Sequence, residues 1–492
     1  MSQTPASQLP VAAPLTVRTK VLYGFGSIAF GVTSLSLTSA VLAPYLNRVI
    51  GLPALWVGTA IMLTLMFDAV FDPLLGQFSD RLRTRWGRRH PLMYISAPLV
   101  AICCIVFWNS PTGWTPQQSG IFLIGMLVLL KMAVSFYEVP SSALAPELTT
   151  DYNARTSLFS YRFFFGVVGG LCMNIALYQV FLSPEAGGIL NRAGYGHYGI
   201  LAAAVMATSI LVSAIGTHSR IPYLSQPVGR SAPLSQILRE MAVTITNPSL
   251  VVLMASGFCS GVASGMGNAL SQYFYIELWG LNAKSISFLA IVGLFASVIG
   301  VALAAPAARW FGKKRAMIGL FSLSITAEVI PMTLWLLGLM PDNSSPWVLR
   351  ILLLDFLFSA TLAISGFIII TSMLADVVED AAVKTGVRSE GLLMAANGLL
   401  PKFTAGFGVF LAGLVITIVA FPAHAPAGTV GPEIMRHMAL LYLPFATGMK
   451  ALSVIVLLFY KIDKSKHETN LATLASAAAL SEQGTENATA LS

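Results

Sequence analysis

The sequence predicts an all-α polytopic membrane protein with twelve transmembrane helices in two six-helix halves. The first observation is composition, since 56% of the 492 residues are hydrophobic and only 10% are charged. A soluble domain is about one quarter charged, so this chain could not cover its surface with charge. The second is the recurrence of apolar stretches of about 20 residues, the length that crosses a bilayer. The third is a loop motif that returns after six such stretches.

The apolar stretches are predicted to be helices because a helix satisfies its own backbone amides where lipid offers them no partner. The alternating polar and apolar pattern of a membrane β-barrel does not recur along the chain. The predicted spans cover residues 20–46, 54–78, 91–109, 119–145, 156–183, 197–217, 246–279, 285–311, 315–340, 346–377, 388–420 and 434–461.

The net charge of +8 is explained by membrane topology rather than by a nucleic-acid partner. Basic residues concentrate in loops on one side of the predicted spans, above all in 81–89 and 309–315. The loops of the other side hold far fewer: Arg48, Arg192, Lys284, Arg350 and Arg436. Because positively charged loops stay in the cytoplasm, both termini are expected there.

Two parallel halves are predicted from the loop that follows the second span. Its sequence contains Arg85-Trp86-Gly87 within a basic cluster, and Arg309-Trp310-Phe311-Gly312 begins a similar cluster six spans later. Such a recurrence is typical of repeated six-helix units. The predicted organisation is a disordered N-terminus (1–19), a first half (20–217), a cytoplasmic linker (218–245), a second half (246–461) and a disordered tail (462–492).

The sequence offers no constellation that an enzyme, a pump or a channel would need. The histidines lie in loops or near span ends, without zinc spacing or a Ser/His/Asp arrangement. There is no phosphate-binding G-x-x-x-x-G-K-[ST] loop and nothing resembling a carbonyl filter. The four cysteines fall in apolar spans and are expected to be buried. We therefore expect a secondary transporter that needs no cofactor, and not an enzyme.

Charged residues inside spans are candidate functional residues because a charge in hydrocarbon is costly and usually faces a cavity. Asp68 and Asp72 are four residues apart, so they share one face of the second span. Two carboxylates at that spacing repel each other unless a cation lies between them. This favours a cation site, and the alternative is a structural pair neutralised by a basic residue such as Arg162.

A second group of polar residues is predicted to form the substrate site. Lys131, Ser135 and Glu138 share one face of the fourth span. Arg162 lies at a similar depth in the fifth span, and Lys402 lies near the middle of the eleventh. Charges of both signs from both halves, at comparable depth, indicate a site at the interface of the repeats. For each residue the alternative is a buried salt bridge that fixes packing.

The run Asp68-Ala69-Val70-Phe71-Asp72-Pro73-Leu74-Leu75-Gly76, with Arg83-Thr84-Arg85-Trp86-Gly87-Arg88 after it, resembles the glycoside–pentoside–hexuronide:cation symporters. This branch of the major facilitator superfamily contains melibiose permease and, more distantly, the animal lysophosphatidylcholine symporter. The resemblance implies the major facilitator fold and a cation symporter that works by alternating access. It also implies that Asp68, Asp72 and Ser135 bind the coupling cation, and that Glu138, Arg162, Lys402 and Phe367 contact the substrate.

The coupling ion is predicted from a departure at Phe71, where the family often has Asn or Thr. A phenyl ring offers no oxygen, and sodium needs several oxygen ligands. A proton needs only a carboxylate with a suitable pKa. We therefore favour H⁺ slightly over Na⁺, which remains the alternative at Asp68 and Asp72.

The substrate class is predicted from two further departures. The family's galactoside-binding aspartate of the first span aligns with Gly31, and the aromatic residue after the proline of the fourth span aligns with Ser142. Sugars are held by carboxylates and aromatic rings, so a simple galactoside fits poorly. Lys131 adds a positive charge suited to an acidic sugar such as a uronide. A lysolipid or another polar-headed amphiphile is the alternative substrate, and a channel or other non-transport protein is a remote one.

The basic loops are also predicted to act in gating. Arg85 and Arg88 would pair with acids such as Asp376 and Glu379 when the cytoplasmic side is closed. The alternative is that these arginines only set orientation in the membrane. We expect a monomer in a bacterial inner membrane, whose partners are the bilayer and a small-molecule substrate.

Overall fold

The computed structural model describes residues 15–149, 151–224, 248–385, 398–422 and 425–462. Several predictions fall partly or wholly outside the described residues. They are the N-terminus up to residue 14, the linker from residue 225, the first two residues of the predicted span 246–279, the predicted span 388–420 up to residue 397, the tail from residue 463, and the side chain of Glu379. The regular secondary structure of the described ranges is helical throughout.

Within these ranges eleven helices are long and apolar enough to cross a membrane, and a bent pair brings the number to twelve. Span 1 is the bent pair, Val17–Ser36 and Ser39–Val49, with an angle of 51° between its parts. Spans 2 to 12 are Ala54–Arg81, His90–Trp108, Pro116–Leu148, Ala154–Phe181, Arg192–His218, Pro248–Leu278, Ala283–Phe311, Lys313–Leu336, Pro346–Leu374, Leu400–Ile418 and Pro432–Leu457. The prediction of an all-α protein with twelve spans is confirmed.

Spans 4 and 5, which carry Glu138 and Arg162, begin at well-formed caps. A capping box at Thr115 and Gln118 starts span 4. The helix of span 5 starts at Asp151, whose carboxylate accepts a hydrogen bond from the N–H of Ala154 at 2.6 Å. Such caps satisfy amides that the first helical turn leaves without partners. Each helix therefore begins at a defined residue, which fixes the faces that its side chains occupy.

Spans 1 and 5 cross at glycines with their backbones in contact. A Cβ atom at Gly31 would lie 1.8 Å from the carbonyl oxygen of Gly166. A Cβ atom at Gly170 would lie 2.5 Å from the carbonyl oxygen of Gly31. Gly166 and Gly170 are four residues apart, the small-residue spacing that lets membrane helices approach closely. Gly31 therefore leaves no room for a side chain, and the family's aspartate could not be accommodated there.

The chain divides into two compact units, each with its own packing. The first consists of Met1–Ser231, Asn268–Ala290 and Ala412–Val430, and the second of Ala232–Gly267, Ile291–Leu411 and Gly431–Ser492. In the first unit, span 3 packs on spans 4 and 6, span 1 on spans 5 and 6, and span 2 on span 4. In the second unit, span 9 packs on spans 10 and 12.

Three of the four cysteines are buried as expected: Cys103, Cys104 and Cys259. Cys172 is exposed on span 5, so the expectation of burial is wrong there. A helix that packs on one side only presents its other apolar residues outward, and composition alone does not distinguish the two faces.

Candidate transport site

The two aspartates predicted to bind the coupling cation lie on span 2, where it faces span 4. Asp68 is 8% exposed, and its Oδ1 accepts a hydrogen bond from Ser135 Oγ at 3.3 Å. Asp72 is half-buried one helical turn further along the same face. The structure therefore brings Asp68 together with Ser135, and the candidate cation site lies within the first unit.

The side chain of Phe71 lies among other aromatic rings. Its ring stacks on Phe67 with centroids 5.5 Å apart and meets Phe136 of span 4 edge-on at 6.0 Å. Aromatic pairs in these arrangements stabilise apolar packing. The position next to Asp72 therefore contributes an apolar wall to this part of span 2.

Glu138 of span 4 pairs with Arg162 of span 5 through Oε1 and Nη2. Nη1 of the same guanidinium donates to Ser141 Oγ at 2.7 Å and to the Tyr23 hydroxyl at 3.3 Å. The Tyr23 hydroxyl in turn donates to the backbone carbonyl of Ser141 at 2.8 Å. Residues of spans 1, 4 and 5 thus hold one guanidinium group, and its donors point in fixed directions.

The carboxylate of Glu138 is only partly satisfied by Arg162. Its Oε2 atom is buried and has no hydrogen-bond partner among the residues that the structure describes. A buried carboxylate oxygen without a donor is costly, so such an atom calls for an explanation. The side chain as a whole is 26% exposed, which leaves it within reach of a ligand. A substrate hydroxyl would satisfy Oε2.

The cation and substrate candidates adjoin each other on span 4. Ser135 and Glu138 are three residues apart and share a helical face, with a rise of about 4.5 Å between them. The Asp68–Ser135 contact and the Glu138–Arg162 pair therefore lie about one helical turn apart on span 4. This adjacency is what ion coupling requires, because each ligand must sense the other.

The remaining predicted substrate residues are distributed over both units. Lys131 is half-buried on span 4, one turn before Ser135 on the same face. Phe367 on span 10 and Lys402 on span 11 belong to the second unit, where the phenyl group is 63% exposed and the lysine is half-buried. That these residues share one site with Glu138 stays a prediction.

The predicted gate arginines make contacts within the first unit. Arg88 Nη2 lies 3.1 Å from the carboxylate of Glu147, and the Arg85 guanidinium lies 5.4 Å from the centroid of the Trp86 ring. Arg88 therefore pairs with Glu147 of span 4 in this structure, and its pairing with Asp376 or Glu379 stays a prediction. A cation over an indole face is stabilised by the ring quadrupole.

Arg89, in the same loop, joins three spans at this end of the first unit. Its guanidinium contacts Glu147 at 2.9 Å and Asp80 at 2.5 Å, and it donates to Ser79 Oγ at 2.9 Å. Only 6% of the Arg89 side chain is exposed. Buried, multiply bonded arginine is typical of a structural tie, so Arg89 belongs to packing rather than to a mobile contact.

Within the second unit, the start of span 9 carries a similar tie. Lys313 Nζ lies 2.7 Å from both carboxylate oxygens of Asp376, and Lys314 Nζ donates to the carbonyl of Tyr460 at 2.8 Å. The Tyr460 hydroxyl donates to the carbonyl of Met373 at 3.2 Å. Burial, followed by the negative charges of Asp376 and Asp380, raises the pKa of Tyr460.

Sequence reasoning missed Tyr23 and Ser141 as partners of Arg162. Neither residue is charged, so neither stood out inside an apolar span. One signal was present, since Ser141 follows Glu138 by three residues and therefore lies on its face. Tyr23 lies on span 1, and a single sequence gives no sign that this span faces Arg162.

The sequence profile of the family described as MFS/sugar transport protein matches residues 22–464. The chain is 26% identical to the uncharacterized symporter sll1374 of Synechocystis sp., over 94% of this chain and 97% of that protein. It is also 26% identical to the isoprimeverose transporter of Lactiplantibacillus pentosus, over 88% of this chain and 86% of that protein.

Solved structures share the fold at low sequence identity. The nucleoside transporter NupG matches with a TM-score of 0.61 at 14% identity, over 91% of this chain and 99% of that chain. A bacterial homologue of the iron transporter ferroportin matches with a TM-score of 0.64 at 12% identity, over the same shares. At such identity the likeness establishes the fold alone.

Proposed function

Because the chain belongs to the MFS/sugar transport protein family, we propose that it is a cation-coupled symporter of a glycoside, uronide or related polar-headed solute. The family consists of secondary transporters, which are not a class of enzymes. The observation that carries the proposal is the adjacency, on one face of span 4, of the Asp68–Ser135 contact and the Glu138–Arg162 pair.

Coupling follows from the charges of these neighbours. A cation on Asp68 and Asp72 removes their mutual repulsion and changes which arrangement of spans 2 and 4 is most stable. Glu138 lies on the same face of span 4, so the affinity for the substrate changes when the arrangement of spans 2 and 4 changes. By linkage the substrate then changes the affinity for the cation by the same factor, and one gradient drives the other.

The proposed substrate offers hydroxyl groups and, in one version, a carboxylate. Glu138 Oε2 would accept a hydroxyl, and Arg162 fixes the carboxylate that receives it. Lys131 and Lys402 would attract an acidic sugar, and Phe367 would stack on a sugar ring. The relative named as an isoprimeverose transporter supports beginning with glycosides. The close crossing at Gly31 leaves no room for the aspartate with which the family contacts galactosides, which supports a substrate that does not need this contact.

The proposed coupling ion is H⁺, with Na⁺ as the alternative. Support comes from Phe71, whose ring packs on Phe67 and Phe136 and provides no oxygen ligand beside Asp72. The proposed setting is a bacterial inner membrane with both termini and the linker in the cytoplasm, as the distribution of basic loops favours.

The substrate is tested by a thermal-shift screen of purified protein against glycosides, hexuronates and lysolipids. A ligand of the folded state raises the melting temperature by mass action. Hits among glycosides or uronides, lost in Glu138→Gln protein, are expected. Stabilisation by lysolipids alone would overturn the proposed substrate class and favour the amphiphile alternative.

The ion is tested by uptake of that substrate into proteoliposomes under imposed gradients. We expect uptake to follow a pH gradient and to be unchanged when Na⁺ is replaced by K⁺ at fixed pH. Strong stimulation by sodium would contradict the proton assignment. Uptake that responds to neither gradient would contradict symport itself.

A further inference from the structure

The turn between spans 8 and 9 leaves two aromatic side chains outside the protein. Span 8 ends at Phe311 and span 9 begins at Lys313, so Gly312, with a φ of 76°, is their sole connecting residue. Trp310 is 75% exposed and Phe311 is 62% exposed. Neither ring contacts another ring in the part of the chain that the structure describes. Exposed rings at the end of a span are typical of the membrane–water interface.

In the corresponding loop of the first unit, the tryptophan packs on protein. The Trp86 ring meets Tyr94 edge-on with centroids 5.7 Å apart, and it meets His218 at 6.5 Å. The Arg85 guanidinium lies 5.4 Å from the centroid of the same ring. The two loops share an Arg-Trp pair and a glycine after it, so the motif itself does not require an exposed ring at Trp310. An exposed apolar surface of this kind marks a contact with another molecule or with lipid.

Two lysines of the turn hold the end of span 12 beside it. Lys313 Nζ lies 2.7 Å from both carboxylate oxygens of Asp376. Lys314 Nζ donates to the carbonyls of Leu458 and Tyr460, at 2.7 and 2.8 Å. These residues all belong to the second compact unit. The turn therefore has a fixed position next to the residues that follow span 12.

Three further cations of this region have no protein partner. Arg309 and Arg315 flank the turn, and Lys461 follows the segment that Lys314 binds. All three are exposed, and none forms a hydrogen bond or an ion pair with the residues that the structure describes. Like charges on neighbouring segments repel each other, and a nearby anion offsets the repulsion. These cations are therefore available to a negatively charged ligand.

An apolar stripe on span 12 leads to the same place. It consists of Phe445, Leu452 and Ile455, which are 38%, 44% and 51% exposed. Their spacing of seven and three residues puts them on one face of the helix. Phe459, which is 67% exposed, lies beyond the helix end, between the two residues whose carbonyls Lys314 binds. The stripe therefore ends where the cations lie.

We infer that the turn between spans 8 and 9 and the end of span 12 form a binding site for an anionic phospholipid. Arg309, Arg315 and Lys461 attract its phosphate. Trp310 and Phe459 lie at the level of the headgroup, and the acyl chain covers the apolar stripe of span 12. Each basic residue beside a bilayer favours an anionic lipid by about five-fold in affinity, whereas a zwitterionic headgroup has no net charge to attract it. The inference does not depend on the substrate, the coupling ion or the transport cycle.

The test compares the binding of phosphatidylglycerol and phosphatidylcholine to the purified full chain in detergent, by native mass spectrometry. Wild-type protein is expected to bind the first phosphatidylglycerol about ten-fold more tightly than the first phosphatidylcholine. Arg315→Gln with Lys461→Gln removes two of the cations. It should weaken phosphatidylglycerol binding about ten-fold and leave phosphatidylcholine binding unchanged.

The matched control is Arg81→Gln with Arg83→Gln, which removes two exposed arginines from the basic loop of the first unit. This variant should bind phosphatidylglycerol as the wild type does. Equal losses in the two double variants would overturn the site, because a general attraction of lipid to basic loops then accounts for the binding. Equal affinities of the wild type for the two lipids would also overturn it.

A second measurement covers the case in which Arg315→Gln with Lys461→Gln does not fold. It uses phosphatidylcholine nanodiscs with a minor fraction of phosphatidylglycerol, whose brominated acyl chains quench nearby tryptophan fluorescence. The contribution of Trp310 is the difference between wild-type and Trp310→Phe protein, and that of Trp347 is obtained in the same way from Trp347→Phe. Trp347 is 58% exposed in the same unit and lies beside Arg350. Trp310 should be quenched several-fold more strongly than Trp347, and equal quenching would overturn the site.

Discussion

At the scale of single residues, the site is organised around Arg162 rather than around the acids that first mark it in the sequence. The guanidinium has three partners on two other spans, so the direction of each donor is fixed before a substrate arrives. Preorganised donors cost little ordering on binding. Glu138 is held through one oxygen, which leaves Oε2 for the proposed substrate hydroxyl.

The first prediction concerns the proposed cation site. Asp72→Asn should abolish ion-driven accumulation while downhill exchange of substrate continues at a reduced rate. Loss of one carboxylate removes the like-charge repulsion that gives a cation its reason to bind. Proteoliposome uptake measures accumulation, and counterflow measures exchange. Asp355→Asn, at an intramembrane acid to which no role is assigned, is the comparison. Normal accumulation by correctly inserted Asp72→Asn protein would refute the assignment.

The second prediction concerns the tie between Tyr23 and Arg162. Tyr23→Phe removes one hydrogen bond to the guanidinium, worth about 0.5–1.5 kcal/mol in stability and more to a charged group. Because the arginine is then less firmly oriented, the apparent KM for the substrate should rise several-fold with little change in maximal rate.

The matched control for this prediction is Tyr198→Phe. Tyr198 is as buried as Tyr23 and lies in the same unit. Its hydroxyl shares a hydrogen bond with Ser36, which is not a partner of Arg162. We expect a lower melting temperature and an unchanged KM. If both variants change KM to the same degree, Tyr23 only supports packing.

At the scale of elements, the sequence was sufficient for the spans and insufficient for their ends. Length and hydropathy predict spans because a bilayer requires a minimum apolar length. Length and hydropathy do not predict the π-helical turn on which Arg48 lies, nor the bend of span 1 at residues 37–38. Those features depend on contacts with distant segments, such as Glu277, which one sequence does not pair.

The same limit explains which site residues could be predicted. Asp68, Asp72, Glu138 and Arg162 are visible because charges are rare in apolar spans. Their partners Tyr23 and Ser141 are ordinary residues of such spans, so only packing identifies them. The sequence shows that Gly31 stands where the family has an aspartate. Only the structure shows why a side chain is excluded there, since Gly31 contacts the backbone of span 5.

The third prediction concerns the glycine crossing of spans 1 and 5. Gly31→Ala should destabilise the protein by about 1–3 kcal/mol or more, because overpacking forces the two backbones apart. Thermal unfolding in detergent measures the effect as a lower melting temperature. Gly125→Ala is the control, since a Cβ atom at Gly125 of span 4 meets nothing within 4 Å. An unchanged melting temperature for Gly31→Ala would show that the spans separate there at no cost.

At the scale of the whole molecule, charge is arranged differently at the two ends of the spans. In the first unit, Arg48 at the end of span 1 and Glu277 at the end of span 7 form an ion pair whose side chains are not exposed. The other end carries Arg85 and Arg88 in an exposed basic loop, with Arg89 as its buried structural tie. A transporter that opens alternately needs contacts at each end that can be exchanged. Partly exposed pairs exchange readily, because each is worth about 0–1 kcal/mol.

The last prediction tests whether the basic loop gates the cytoplasmic end or only orients the protein. Arg88 pairs with Glu147, which keeps Arg89 as a second partner. If Arg88 leaves Glu147, the carboxylate of Glu147 therefore still has Arg89 as its partner. In the gate proposal, Arg88 pairs with an acid such as Asp376 when the cytoplasmic end is closed.

The variant that separates the two roles is Arg85→Gln with Arg88→Gln. If several pairs bias a two-state equilibrium by about 1–3 kcal/mol, the variant shifts populations several-fold towards the open state. We expect slower transport with normal insertion, and faster maleimide labelling of a Ser142→Cys reporter, which lies one turn beyond Glu138. Arg81→Gln with Arg83→Gln removes the same charge from the same loop and should leave labelling unchanged. If the two double variants label alike, or if both only lower expression, the loop serves orientation, because charge alone then accounts for its effect.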